Sequence, residues 1–356
     1  MISEDSRDRF LSMLEKAAER TLADVGEKDL LAEFLLPMCR SLCGDHGLGD
    51  DVGLLNVPTD NTVAVTTDRV PSDLLARQLG LMSPVDFGAY LVRVNISDLA
   101  AAGADPLGMV ITSAFRPQER MAYVLEVMWG AYLQSAQLGC PVIGGDTKAA
   151  LEESLSATAI GAVPEGKSVG RGQVRPGMRI YLSGPVGHAG VALRWFMRKA
   201  NERRGTTPEV GSLGEELREH LIRPRPRIDL AKALRESGCP CAMDITDGLG
   251  QSLSEIAVLN SVDLEVDFES LRFYPATIRA AEKLRLDMRD VLGGIGLDLE
   301  LLAIGDAVAR PEGFYDVGRV VAGGGEVRFS DGQKMLIRGF EHFTRSPRDF
   351  IEDGLD

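Results

Sequence analysis

The stretch VIGGDTKAA, residues 142–150, decides how the chain is read. A short apolar run ends in two glycines and an aspartate. Gly-Gly-Asp is ordinary turn chemistry. It is equally the composition of a strand end where backbone must come close to a ligand, with Asp146 placed to hold a metal. The stretch alone leaves both readings open, and the rest of the chain has to decide.

Composition narrows the field. A length of 356 residues suggests two domains. With 44% hydrophobic and 26% charged residues, the chain has the balance of a globular protein with a sizeable core. The 53 acidic and 39 basic residues leave a formal net charge of -14, which argues against nucleic acid or an anionic membrane surface as the main partner. A nucleotide bound through magnesium stays compatible, because there carboxylates are wanted. No apolar run is long enough to span a bilayer. The start MISEDSRDRFLSMLEKAAER is acidic and amphipathic, unlike a signal peptide. Five cysteines do not form a disulfide framework, so a reducing cytoplasm is the expected home. Cys39 and Cys43 are expected to share a helix face and pack rather than to bind zinc.

Periodicity outlines alternating helices and strands. Residues 5–22 and 27–43 read as helices, and TVAVTTD (62–68) as a strand ending at Asp68. Residues 83–106 read as a long helix with Phe87, Leu91, Val94 and Leu99 on one stripe, ended by Gly103 and Pro106. LGMVITSAF is a strand, residues 120–139 are a helix, PVIGGDT is a strand and loop, and SLSATAIGAVP is a strand. The glycine-rich, basic stretch GKSVGRGQVRPGM (166–178) marks a domain boundary. Beyond it RIYLSGPVG reads as strand and turn, GHAGVALRWFMRKA as a helix, and CAMDITDGLGQSLSEIAVL as strand, turn and helix. Both halves are therefore α/β, with acidic loops after strands.

The acids fall at telling places. Asp51 sits in the loop GLGDDVGLL, Asp68 ends a strand, and Asp98 follows Asn95 by three positions on one helix face. Asp146 ends the opening stretch, and Asp244 and Asp247 flank Thr246 at a strand-to-helix junction. Singly, each has a structural reading: a turn for GDD, an Arg93 partner for Asp98, a helix cap for Thr246 or Asp247. Together they are six carboxylates from five segments, nearly all where an α/β chain puts its ligand loops. Like charges are tolerated at close quarters around cations. Magnesium bridging phosphates is the natural partner of such oxygen ligands, and glycines let backbone N–H groups approach phosphate. The expectation is ATP with magnesium, in the absence of a Walker-type loop.

In order along the chain, GDDVGLL (49–55), VTTD (65–68), VNISDLAAAGADP (94–106), IGGDT (143–147), RPRPR (223–227), MDITDGL (243–249) and GFEHF (339–343) resemble the motifs of thiamine-monophosphate kinase, within the aminoimidazole-ribonucleotide (AIR) synthetase superfamily of ATP-binding proteins. The resemblance implies an AIR synthase-like α/β (α+β) fold. Residues 1–25 would be an extension helix, 26–165 an ATP- and magnesium-binding domain that builds the dimer sheet or barrel, and 166–356 a C-terminal α/β domain. It also implies a homodimer and direct transfer of the γ-phosphoryl group to a small molecule. On this resemblance Asp51, Asp68, Asp98, Asp146, Asp244 and Asp247 look like magnesium ligands, with Thr66 and Thr67 near the metals. Gly144 and Gly145 would clear room for ATP, and Gly145, Arg171 and Thr246 match nucleotide contacts. Such chemistry needs positioning and charge neutralisation more than a protein nucleophile.

The acceptor positions depart from the family. Its histidine after TTD is replaced by Leu75, the first glutamate of its GGEDYEL segment by Leu297, and the aromatic residue before its closing motif by Ile337, while Asp298 and Glu300 are kept. A thiazolium cation favours aromatic or anionic surroundings. The replacements point to a less polar acceptor than thiamine monophosphate. A small shift in alignment would give the acceptor role to Asp73 or Asp298 instead. The alternatives are thiamine-monophosphate kinase activity proper, ATP-driven activation of an amide or carboxylate oxygen for C–N bond formation, and nucleotide binding without turnover.

Overall fold

A computed structural model describes residues 4–44, 55–202 and 211–338. The chain divides into two compact units, Met1–Leu99 with Asp105–Pro164, and Ala100–Ala104 with Glu165–Asp356.

The first unit is built on a four-stranded sheet of β1 (Asn61–Val70), β2 (Asp105–Phe115), β3 (Val142–Ala149) and β4 (Ser154–Pro164), in the order β1-β4-β2-β3. The β1–β4 and β2–β4 pairs are antiparallel and β2–β3 is parallel. Period-two alternation in β1 turns Thr66, Asp68 and Val70 inward, while Val63 and Val65 are 47% and 63% exposed. The opening stretch differs from its expected strand and loop. β3 runs on to Ala149, because Thr147 stays in register with Ser113 and their buried hydroxyls bond at 3.0 Å.

The helices Pro84–Ala101 and Met121–Gln137 are apolar on most sides, as buried helices are. The sequence SPVD starts the first of them. Ser83 donates its hydroxyl to Asp86 at 2.6 Å, the Asp86 N–H donates back to the Ser83 hydroxyl at 3.1 Å, and Pro84 fills the first turn. Gly103, at φ 70°, turns the chain out of it. The two helices come together at glycines. A Cβ on Gly88 would lie 1.8 Å from the Val127 carbonyl oxygen, and one on Gly130 would lie 2.0 Å from that of Val85. The helix Glu4–Ala17 belongs to this unit, with Phe10 stacked on Trp129 at 4.3 Å. Residues 27–43 are helical but widen into a π turn at Leu30–Leu35, just before Pro37, which has no N–H to offer the preceding turn.

The second unit holds a six-stranded sheet of β5 (Arg179–Leu182), β6 (Cys241–Asp244), β7 (Val262–Val266), β8 (Leu301–Gly305), β9 (Tyr315–Ala322) and β10 (Val327–Phe329), in the order β10-β7-β9-β5-β8-β6. Its pairs are antiparallel except β7–β10. Ile180, Leu182, Leu264, Leu302 and Ile304 from the sheet pack with Leu253 and Ile256 of the helix Leu249–Asn260 to form its core. Both units are mixed α and β. Their sheets are more antiparallel than regular strand–helix alternation suggests, since several neighbours in the sheets run in opposite directions.

The glycine contact carries a stability prediction with a distinctive sign. Alanine normally favours a helix over glycine by about 1 kcal/mol, but Gly130→Ala would force the two helix backbones apart. Gly130→Ala is expected to destabilise the protein by roughly 1–3 kcal/mol in denaturant unfolding; a gain in stability would contradict the close crossing.

Candidate functional site

In the first unit the buried crossing sets the depth of the helix Pro84–Ala101, and its polar residues then meet β1. Thr66 donates its hydroxyl to Asp98 Oδ2 at 2.6 Å, and the Asp68 N–H donates to the side-chain oxygen of Asn95 at 3.1 Å. Asn95 is fully buried and anchors itself by donating to the Leu91 carbonyl at 2.8 Å. Asp68 and Asp98 are half-buried. Thr67 points the other way, donating to the Ala157 carbonyl and accepting from Thr158. Arg93 donates to Gln134 through two of its N–H groups.

Asp146 stands apart from that pair. Strand register aligns Asp146 with Thr112 and aligns Ile111 with Ala157 opposite Asp68, so Asp146 projects from the opposite face. Its carboxylate lies 3.3 Å from Lys148, which also donates to Glu27 at 2.8 Å. Glu27 first, and Asp146 after it, raise the Lys148 pKa. The two glycines have different reasons. A Cβ on Gly145 would meet the Ile111 carbonyl oxygen at 2.1 Å, so β2 itself demands glycine there. A Cβ on Gly144 would touch Val110 Cγ1 at an ordinary 3.6 Å, so nothing among the described residues requires that glycine. Asp51 lies outside the described residues.

In the second unit Asp244 ends β6 and is 2% exposed, and Thr246 and Asp247 follow it half-buried. Gly248, rather than Thr246 or Asp247, is the N-cap residue of the helix Leu249–Asn260. Arg171 lies at the surface 3.4 Å from Glu255. Among the described residues no three His, Cys, Asp or Glu side chains already form a metal cluster. The donor atoms in both units are carboxylate and hydroxyl oxygens, the hard set that suits magnesium.

The acceptor positions are spread over both units. In the first, Asp73 is exposed and its carbonyl accepts from Gln78, while Leu75 is 4% exposed and packs as a core residue. In the second, Leu297 is half-buried and Ile337 packs against the core. Asp298 accepts backbone N–H groups from Gly187, His188 and Ala189 at 2.7, 3.1 and 3.4 Å. It thereby holds the start of the helix His188–Glu202. Burial nonetheless pushes its carboxyl up to about 6, against those bonds. Sequence reasoning missed the partners of Glu300, a buried acid bonded to Ser183 and 2.8 Å from Arg227, whose guanidinium also donates to the Ser183 carbonyl. The RPRPR motif together with the retained Glu300 was the available signal.

The model of the family "AIR synthase related protein, N-terminal domain" matches residues 49–163. A thiamine-monophosphate kinase of Escherichia coli is 30% identical over 277 residues, 78% of this chain and 81% of that protein. The crystal structure of a thiamine-monophosphate kinase from Stenotrophomonas maltophilia is 32% identical with a TM-score of 0.71, covering 85% of this chain and 98% of that one. A 23% identical chain, solved in complex with AMPPCP and TMP, shares the fold at a TM-score of 0.70, over 89% of this chain and 99% of that one. Fold and motifs thus define an AIR synthase-related, ATP-dependent phosphotransferase. The chain belongs to the thiamine-monophosphate kinase family.

Beside Asp298, the His188 side chain is buried and fully used. Its Nε2 donates to the Leu217 carbonyl at 2.9 Å, which leaves Nδ1 to accept from the Thr277 hydroxyl at 2.7 Å. Burial lowers its pKa to about 4. A folded pKa below the unfolded value means that the neutral ring's stabilisation is present above about pH 6.5 and is lost as pH falls towards about 4. Wild type is expected to lose on the order of 3 kcal/mol more over that window than His188→Gln, measured by urea unfolding at several pH values. Parallel pH profiles would show that the ring is not held neutral.

Proposed function

We propose that this chain transfers the γ-phosphoryl group of ATP to a small-molecule acceptor other than thiamine monophosphate. The observation that carries the reading is the Thr66–Asp98 and Asn95–Asp68 arrangement, which fixes the Asp98 carboxylate and the β1 backbone at Asp68 beside each other. Buried Asp244, with Thr246 and Asp247 half-buried just after it, supports it from the second unit. Magnesium would be held in the first unit by Asp68 and Asp98 on one face of the sheet and separately by Asp146 on the other, and in the second unit by Asp244 and Asp247; Asp51 would have the same role. Bound there, it supplies charge neutralisation for the phosphates. Gly144 would leave space for nucleotide, since nothing among the described residues needs that glycine. Thr66 orients Asp98, Asn95 orients the β1 backbone at Asp68, and Arg171 and Thr246 contact the nucleotide.

Leu297 and Ile337 support the changed acceptor, because neither offers the charge or π-face that a thiazolium ring favours. Leu75, being core, says nothing about the acceptor. The second reading, phosphorylation of thiamine monophosphate itself, is favoured by the identity to the kinases that carry that name. A homodimer fits the outward-facing, exposed Val63 and Val65 on the edge strand β1.

Calorimetric titration with a non-hydrolysable ATP analogue is expected to show magnesium-dependent binding that Asp98→Asn weakens at least roughly tenfold. Magnesium-independent binding, or an unchanged variant, would remove the metal role. A phosphorus NMR screen of acceptors then separates the two readings: efficient conversion of thiamine monophosphate to its diphosphate would overturn the changed acceptor.

A further inference from the structure

Beyond their last paired residues, Asp244 and Leu301, the chains of β6 and β8 stay hydrogen-bonded. The Ile245 N–H donates to the Glu300 carbonyl at 2.9 Å, and the Leu299 N–H donates to the Ile245 carbonyl at 3.0 Å. The segment that carries Asp244, Thr246 and Asp247 is thereby zipped to the segment that carries Leu297 and Asp298. Leu299 takes part at φ 52°, in the left-handed region that a leucine rarely adopts, and its side chain is fully buried. Such a conformation persists where the surroundings over-determine it.

The two segments then touch backbone to backbone, at glycines. A Cβ on Gly248, itself at φ 104°, would lie 2.2 Å from the Gly294 carbonyl oxygen, and one on Gly296 would lie 2.6 Å from Gly248 Cα. A Cβ on Gly250 would lie 2.9 Å from Gly293 Cα. The closing segment braces the same loop: a Cβ on Gly293 would lie 2.0 Å from the Leu336 carbonyl oxygen, and the Arg338 N–H donates to the Gly293 carbonyl. No side chain stands between these backbones to absorb a displacement by changing rotamer, so a shift of residues 244–248 is passed on to residues 293–298. Unlike Gly144, these glycines admit a neighbouring backbone rather than a ligand.

We infer that Gly248, Gly250 and Gly296 are positioning residues that make the loop 293–298 move with the loop 244–248, so that filling the second with magnesium and nucleotide orders the first for the acceptor. What the two loops bind rests on the kinase reading above, whereas the link between them rests on contacts within the second unit. A loop that one ligand has already fixed costs the next ligand less to order. The linkage is reciprocal, so an acceptor seated on the loop 293–298 tightens nucleotide binding by the same factor.

Hydrogen exchange of the whole chain, read by mass spectrometry with and without magnesium and a non-hydrolysable ATP analogue, tests the link. In wild type the ligand is expected to slow exchange in residues 244–250 and, by about fivefold or more, in residues 293–300. Gly296→Ala and Gly250→Ala should keep the first effect and lose most of the second. A merely structural role for these glycines would speed exchange with and without ligand alike and leave the ligand-induced difference in residues 293–300 as in wild type. That result, or slowing confined to residues 244–250 in wild type, overturns the link, and the wild-type comparison decides alone should the variants fail to fold. Slowing confined to residues 244–250 leaves the kinase reading standing. Slowing in neither segment, with no binding by calorimetry, removes that reading and the ordering by nucleotide with it.

Discussion

Two helix backbones touch at Gly88 and Gly130, and the first unit depends on that contact. Because neither position carries a Cβ, the helix Pro84–Ala101 sinks until carbonyl oxygens of the two helices lie where side chains would otherwise stand. Only at that depth do Asn95 and Asp98 reach β1, the one to fix the Asp68 N–H and the other to take the Thr66 hydroxyl. A packing constraint in an apolar layer thereby becomes an electrostatic arrangement at the sheet. The cost of burying Asn95 is met by the Leu91 carbonyl and the Asp68 N–H, so the anchor is satisfied on both sides.

The second unit reaches a comparable end by different means. Asp298 and Glu300 are neighbours on one short segment, yet each is committed to holding backbone or an arginine in place. They tie β8 to the start of the helix His188–Glu202 and to the RPRPR segment. Asp298, which the sequence offered as a candidate for the acceptor role, is here engaged by backbone N–H groups.

Much of the architecture was legible because local signals agreed with one another. SPVD announces a capped helix start and Gly103 its end, and both act as their chemistry dictates. The alternation of TVAVTTD correctly sorts Thr66 and Asp68 onto one face. The reading was less direct where a signal had two meanings. Gly145 is required by a neighbouring strand rather than by open space, and from sequence that carbonyl at Ile111 is invisible. Asp146 shares a motif with the other acids but not their face, since a period of two is decided by register across three strands.

Lys148 pairs with Asp146 and is held from the other side by Glu27. A divalent cation of the kind proposed at Asp146 would therefore have to displace a cation already beside it. Such an exchange would swap one positive charge for two and leave Lys148 with Glu27 as its anchor. Occupancy would then be governed by the difference between two attractions. Such a difference is smaller than either attraction, and it is set as much by Glu27, in a helical segment far away in sequence, as by the aspartate itself.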